Sequence, residues 1–174
     1  FLGPDVAINP NIAAQFKGLR FSPHALTTHS CGYINAKNFR VNRQLYNQSR
    51  QHNNCLHKKI GLDAAGYIKH CPSMAASLGH LSQDTVQSAL LQEGYQDLSK
   101  ITKDQIADCR TCIFRYACID CRAYTENPQD QYSKPLKCGY DPATNSWEDW
   151  EKMEQKIAAS VYYGMSDQPS TIVL

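Results

Sequence analysis

The sequence predicts an α+β fold in which a short β-hairpin and several brief helices surround something other than a large apolar core. Three observations lead there. Alternating apolar residues around a glycine-bearing turn mark a hairpin over residues 58–70, polar capping residues precede short apolar stripes, and eight cysteines stand in a chain of only 174 residues. At 42% apolar content the chain can bury a modest core, and its length suits one compact unit with tails.

Residues 1–30 mix Gly, Pro and Asn with short apolar runs such as Ile12-Ala13-Ala14, and read as a lead-in: the end of a preceding unit or a surface wrap. Residues 39–42 have the composition of a short strand. Residues 44–54 suit a brief helix that gives way to a turn before Cys55. In the hairpin, Ile60 and Leu62 alternate with polar or small residues, Tyr67 and Ile68 resume the pattern, and Gly66 supplies the positive φ that the intervening loop demands. Folding these strands together brings Cys55 and Cys71, sixteen residues apart, toward one end.

Ser82 is a candidate cap for a helix carrying Val86, Ala89 and Leu90, with Gly94 ending it. Thr102 and Gln105 form a capping box, and Ile101 with Ile106 stands at the spacing of a hydrophobic staple, so this short helix delivers the chain to Cys109 at a fixed angle. The run Asp141-Pro142-Ala143-Thr144-Asn145 is a turn. Beyond it, Ser146 and Asp149 are candidate caps for a terminal helix within 141–174. Trp147, Trp150, Met153, Ile157 and Val161 recur there at helical spacing, a stripe suited to core packing or docking. From Ser166 the composition is that of a mobile tail.

Charge and hydropathy exclude several classes of function. The formal charge of +2 is dispersed, with no basic run of the kind that tracks nucleic acid. No stretch approaches the roughly 20 apolar residues of a membrane helix, and the start FLGPDVAINPN lacks the basic and apolar regions of a signal peptide, so the expected compartment is the cytoplasm. The first residue is Phe1 rather than Met, which leaves room for a longer native chain.

The cysteines are Cys31, Cys55, Cys71, Cys109, Cys112, Cys118, Cys121 and Cys138, and four of them fall within thirteen residues. In CRTCIFRYACIDC the spacing is C-x2-C-x5-C-x2-C, too dense for thiols that merely fill a core. Disulfides are one reading, but loops this short constrain the unfolded chain little. Structural zinc is a second, although its paired knuckles usually stand about 15 to 20 residues apart. The third is iron–sulfur: a [4Fe–4S] cluster takes four thiolates, eight cysteines supply two sets, and two-cluster ferredoxins offer a precedent for interleaved ligands. Loading two such clusters, each contributing roughly −2 with its thiolates, would shift the net charge from about +2 to about −2.

Cys55, Gly66 and Cys71 spell C-x10-G-x4-C, followed by the dense run and a solitary Cys138, and this order resembles the SPASM domain at the C-terminus of radical-SAM peptide maturases. The segments NNCLHKKIGLDAAGYIKHCPSM, CRTCIFRYACIDCRAYTENPQDQYSKPLKCGYDP and WEDW are similar to the SPASM-domain maturases encoded beside ATP-grasp ligases in grasp-with-spasm peptide systems. The likeness spans roughly residues 30–165. It implies a SPASM-like two-cluster domain over 31–140, a small α+β unit with a hairpin and short helices around two [4Fe–4S] clusters. It also implies a role in maturing a ribosomally made precursor peptide, relaying electrons or holding the peptide, with an ATP-grasp ligase as a possible partner.

The resemblance implies a ligand assignment as well: Cys109, Cys112, Cys118 and Cys138 to one cluster, and Cys55, Cys71 and Cys121 to the other. Cys31 is the candidate for the remaining ligand; the alternative is a buried free thiol, with that cluster open to a substrate or another ligand. The chain departs from the common SPASM pattern in having two rather than three residues between Cys118 and Cys121. It also has no C-x3-C-x2-C motif, so radical initiation would have to come from another segment or another protein.

A noncatalytic scaffold with structural clusters or structural zinc, docking a ligase through the Trp-bearing helix, is the rival from a different class. His57 and His70 lie near cysteines and are candidate substitute ligands or, with Lys58, Lys59, Lys69 and Arg110, charge-compensating neighbours. Arg115, Arg122 and Tyr124 could hydrogen-bond sulfur or a peptide. Asp120, Glu126 and Asp130 read as surface or loop residues, and no catalytic residue is assigned.

Overall fold

The computed structural model describes residues 31–63 and 65–162 together with the backbone of residues 172–173; the expectations for residues 1–30 and for the tail from Ser166 fall outside the described residues. It is a small mixed α+β protein with short helices and small antiparallel sheets.

The hairpin forms where the alternation places it. β1 (Gly61–Leu62) pairs with β2 (Tyr67–Lys69) in antiparallel register, Leu62 opposite Ile68. Asp63 organises the turn, its carboxylate accepting the Ala65 and Tyr67 N–H groups at 3.1 and 2.9 Å and pairing with Lys69 at 2.7 Å. Gly66 takes φ +90°, and a Cβ there would stand 3.1 Å from the His80 ring. β3 (Gly79–His80) extends the sheet on β2 and β6 (Ile172–Val173) on β1, giving the order β3-β2-β1-β6.

α1 (Arg43–Ser49) begins at Asn42, whose side chain accepts the Leu45 N–H at 2.8 Å. Residues 39–42 are therefore not a strand: Ala36–Asn38 forms a 3₁₀ turn, and the extended residues after it end as the cap of α1. α2 (Val86–Leu90) is capped by Thr85 in a box with Ser88, not by Ser82, which hydrogen-bonds His80 Nδ1 at 2.7 Å instead. Gly94 keeps its positive φ but lies past the end of α2, in the turn that follows. The 3₁₀ turn Lys103–Gln105 has its predicted box, the Thr102 N–H donating to Gln105 Oε1 at 2.7 Å, and Ile101 and Ile106 are both buried.

At the C-terminal end, Ser146 does not cap a helix. β4 (Tyr140–Asp141) and β5 (Ser146–Trp147) pair across the predicted turn, where Asp141 accepts the Ala143 N–H at 2.9 Å and Asn145 adopts φ +54°. α3 (Trp150–Ala158) starts after Asp149 and buries Met153 and Ile157, while Trp150 and Val161 stay exposed. No helix among the described residues is long and apolar enough to cross a membrane.

The apolar interior is divided. One cluster, Ile60, Leu62, Ile68 and Ala89, is purely aliphatic and anchors the sheet; the other three contain cysteine. Ile68 is fully buried at the centre of the aliphatic cluster. Ile68→Ala is expected to destabilise the fold by about 2–5 kcal/mol, read as a lower denaturation midpoint with an unchanged denaturant slope.

Candidate metal centre

The eight cysteines are all free, Cys31 exposed and the others buried or half-buried, and they fall into two neighbourhoods of four. Cys109, Cys112, Cys118 and Cys138 line one cavity together with Ile34, Phe39, Phe114, Tyr140 and Trp147. The staple and box around Ile101 and Thr102 carry the chain into Cys109, and a sequence of tight turns through residues 109–118 brings the next two thiols round to it. Cys138 arrives through a parallel bridge with Ile34. Phe39, Phe114, Tyr140 and Trp147 pack ring against ring over this group, with centroids 4.9 to 6.3 Å apart.

Cys31, Cys55, Cys71 and Cys121 form the second group. Burial pushes the Cys55 thiol up to about 12; Lys59 opposes the rise, and Cys121, Cys71 and Cys31 add to it. Burial likewise raises Cys71 and Cys121, with Cys31 adding to both. Gly32 is what lets the Cys31 segment come so close. It adopts φ +82°, and a Cβ there would stand 3.1 Å from Cys121 Sγ and 3.3 Å from the Tyr124 ring. The same segment is pinned by the Ile34 N–H donating to the Lys137 carbonyl at 3.1 Å.

Each group lies against a buried lysine that sequence reasoning did not single out. Lys103 is 4% exposed and places Nζ 3.9 Å from Cys109 Sγ and 2.9 Å from Asp120 Oδ1. Lys137 is 1% exposed, donates to the Cys31 carbonyl at 2.7 Å, and lies 4.1 Å from the Tyr124 ring centre and 5.0 Å from that of Tyr33. The Coulombic influence of Lys103 reaches Cys109, Cys112 and Cys118; that of Lys137 involves Cys121 and Cys31.

Asp120 overturns its surface assignment. It is 2% exposed, and its carboxylate accepts Lys103 Nζ, Arg122 Nε at 3.0 Å and a terminal Arg122 nitrogen at 2.7 Å, and Asn53 Nδ2 at 2.7 Å. Asn53 is itself buried and caps the Cys55 turn, its Oδ1 accepting the N–H groups of Cys55 and Leu56, both at 2.9 Å. Asn54 reaches the Cys118 carbonyl at 3.1 Å. The available signal was position: Asp120 stands between Cys118 and Cys121, one on each group, and Asn53 and Asn54 immediately precede Cys55.

The other polar candidates have structural partners. His57 stacks on His52, with centroids 3.8 Å apart, and His70 stacks on Tyr95 while its Nε2 lies 2.6 Å from the Tyr95 carbonyl. Lys58 takes a positive φ, Lys69 pairs with Asp63, and Arg110 is exposed. Lys59 acts on Cys55 and Cys71. Arg115 bonds Asp104 and the Cys112 carbonyl, and Arg122 also donates to the carbonyls of Gln131 and Ser133. Tyr124 is buried edge-on against Tyr162. Glu126 pairs with Lys156, and Asp130 accepts the Tyr132 N–H.

Among the described residues, no three or more His, Cys, Asp or Glu side chains converge as the ligands of one metal ion would. Thiols converge from separate segments, the Phe114 N–H points at Cys112 Sγ from 3.4 Å, and the N–H groups of Ala123 and Tyr124 serve Cys121. No protein-family model matches the chain, and neither a curated protein nor a solved structure matches it.

Two outcomes follow from this geometry. Asp120→Ala leaves Lys103 and Arg122 buried without their carboxylate, a loss of about 3–5 kcal/mol expected in chemical denaturation. Burial also pushes Cys109 up to about 11 and Cys118 up to about 12, so the folded metal-free protein holds protons that unfolded thiols release near pH 8.5. Its stability is therefore full below that pH and falls as pH rises toward 12, which a pH series of unfolding midpoints on metal-free, reduced protein reads directly.

Proposed function

We propose that this protein is an auxiliary iron–sulfur module of a ribosomal-peptide maturase, with one [4Fe–4S] cluster on Cys109, Cys112, Cys118 and Cys138 and another on Cys31, Cys55, Cys71 and Cys121. The observation that carries the reading is the charge around the thiols. Lys103 and Arg122 share the single Asp120 carboxylate beside one group, and Lys137 is buried beside the other. Lys103 and Arg122 already share Asp120, and Lys137 already donates to the Cys31 carbonyl; an anionic cluster beside them would add a further attractive partner.

When bound, each cluster supplies one-electron transfer. The chain's own residues do the rest. Lys103, Lys137 and the N–H groups of Phe114, Ala123 and Tyr124 offset negative charge on sulfur, and the rings of Phe39, Phe114, Tyr140 and Trp147 keep water from the first group. The peptide substrate and the ATP-grasp partner rest on the resemblance of the cysteine pattern. A scaffolding role is favoured by a separate feature: Trp150 is 56% exposed on α3, where it packs at a tilt against Tyr33 with centroids 5.1 Å apart and presents an aromatic face.

Anaerobic reconstitution with iron and sulfide is expected to load about eight irons and as many acid-labile sulfides per chain. Cys118→Ala and Cys55→Ala should each lose about half of both, from different clusters, and Cys31→Ala should behave like Cys55→Ala. Protein that takes up zinc alone, or neither iron nor sulfide, overturns the reading. If removing the clusters weakens peptide or ligase binding while reducing them changes nothing, the scaffold prevails over electron transfer.

A further inference from the structure

Lys103 is a costly residue to place where it is. It has the longest reach of any side chain in its 3₁₀ turn, yet it points inward, and its ammonium is held between Asp120 Oδ1 at 2.9 Å and Cys109 Sγ at 3.9 Å. The residues around it fix that position. The Thr102–Gln105 box sets the backbone, and Ile101 and Ile106 bury both flanks of the turn. Asp120 is in turn fixed by Arg122 and Asn53. An ammonium in this setting keeps its charge. The Asp120 carboxylate, 2.9 Å away, offsets the hydration that the ammonium loses on burial.

The charged groups facing Lys103 do not cancel it. Asp120 is opposed by two cations, Lys103 and Arg122, so the network carries net positive charge beside Cys109, Cys112 and Cys118. Asp104, the other acid on this turn, faces outward to Arg115 and Tyr116. Positive charge and N–H···S hydrogen bonding both stabilise the reduced, more negative state of a cluster.

We propose that Lys103 is a positioning residue for redox potential, raising the potential of the cluster held by Cys109, Cys112, Cys118 and Cys138 and so setting it apart from its neighbour. The proposal rests on the two-cluster reading. Lys103 touches no substrate; it acts through the sulfur of Cys109 and through a charge that Asp120 keeps in place. Methionine is close to lysine in length and apolar shape, and in Lys103→Met the Asp120 carboxylate retains Arg122 and Asn53, so the variant deletes the charge with little else.

The test is an anaerobic redox titration of the reconstituted full chain, followed by electron paramagnetic resonance of the reduced clusters, alongside iron and sulfide analysis. In Lys103→Met one of the two midpoint potentials is expected to fall while the other holds, and Lys103→Arg, which keeps the charge, restores it. Lys103→Gln, neutral but still able to donate to Asp120, is expected to lower the same midpoint and decides the matter where Lys103→Met loads incompletely. Fully loaded variants with both midpoints unmoved, or both moved together, overturn the role of Lys103. Wild-type chain without iron and sulfide overturns the two-cluster reading itself, and the two failures are told apart by composition alone.

Discussion

The Asp120 carboxylate is the point on which the structure depends. It lies between Cys118 and Cys121, which belong to different cysteine groups, and holds Lys103, Arg122 and Asn53 from three separate stretches of chain. Through Lys103 it fixes the turn that leads into Cys109. Through Asn53 it fixes the turn that contains Cys55, and through Arg122 it ties down the carbonyls of Gln131 and Ser133 ahead of Cys138. A buried carboxylate with this many donors is satisfied, and it converts four loosely structured segments into one rigid site.

A second tie runs on the other side. The bridge between Ile34 and Cys138 and the bond from Lys137 Nζ to the Cys31 carbonyl join residues 31–34 to residues 137–138, again one cysteine from each group. The two groups are therefore interleaved through polypeptide at both ends. That arrangement explains how so little regular structure suffices. The helices and strands are short, and the apolar interior is split into clusters, three of which have a cysteine where a larger domain would have an aliphatic side chain.

Local signals in the sequence were reliable where the chemistry is local. The hairpin, the positive φ at Gly66, the box at Thr102 and the turn after Asp141 depend on neighbours a few residues apart, and all form. The failures concern competition between equivalent caps: Thr85 displaces Ser82, and Ser146 becomes strand because Trp147 finds Phe39, Phe114 and Tyr140 to pack against. The dense cysteine run was legible as a pattern. Its electrostatic frame was not, since the partners of Asp120 are distant in sequence and nothing in a lone Asp, Lys or Asn announces that it is buried.

A metal-free chain of this design has a particular weakness. Burial holds protons on the Cys55, Cys109 and Cys118 thiols, while Lys103 and Arg122 share the one Asp120 carboxylate beside the last two. Metal bound at these positions would release those protons and bring negative charge beside the cations, coupling binding to folding through the same atoms. On the two-cluster proposal, one set of residues would serve both as a structural staple and as the setting for electron transfer, with Lys103 beside Cys109 and Lys137 beside the Cys31 segment in either role.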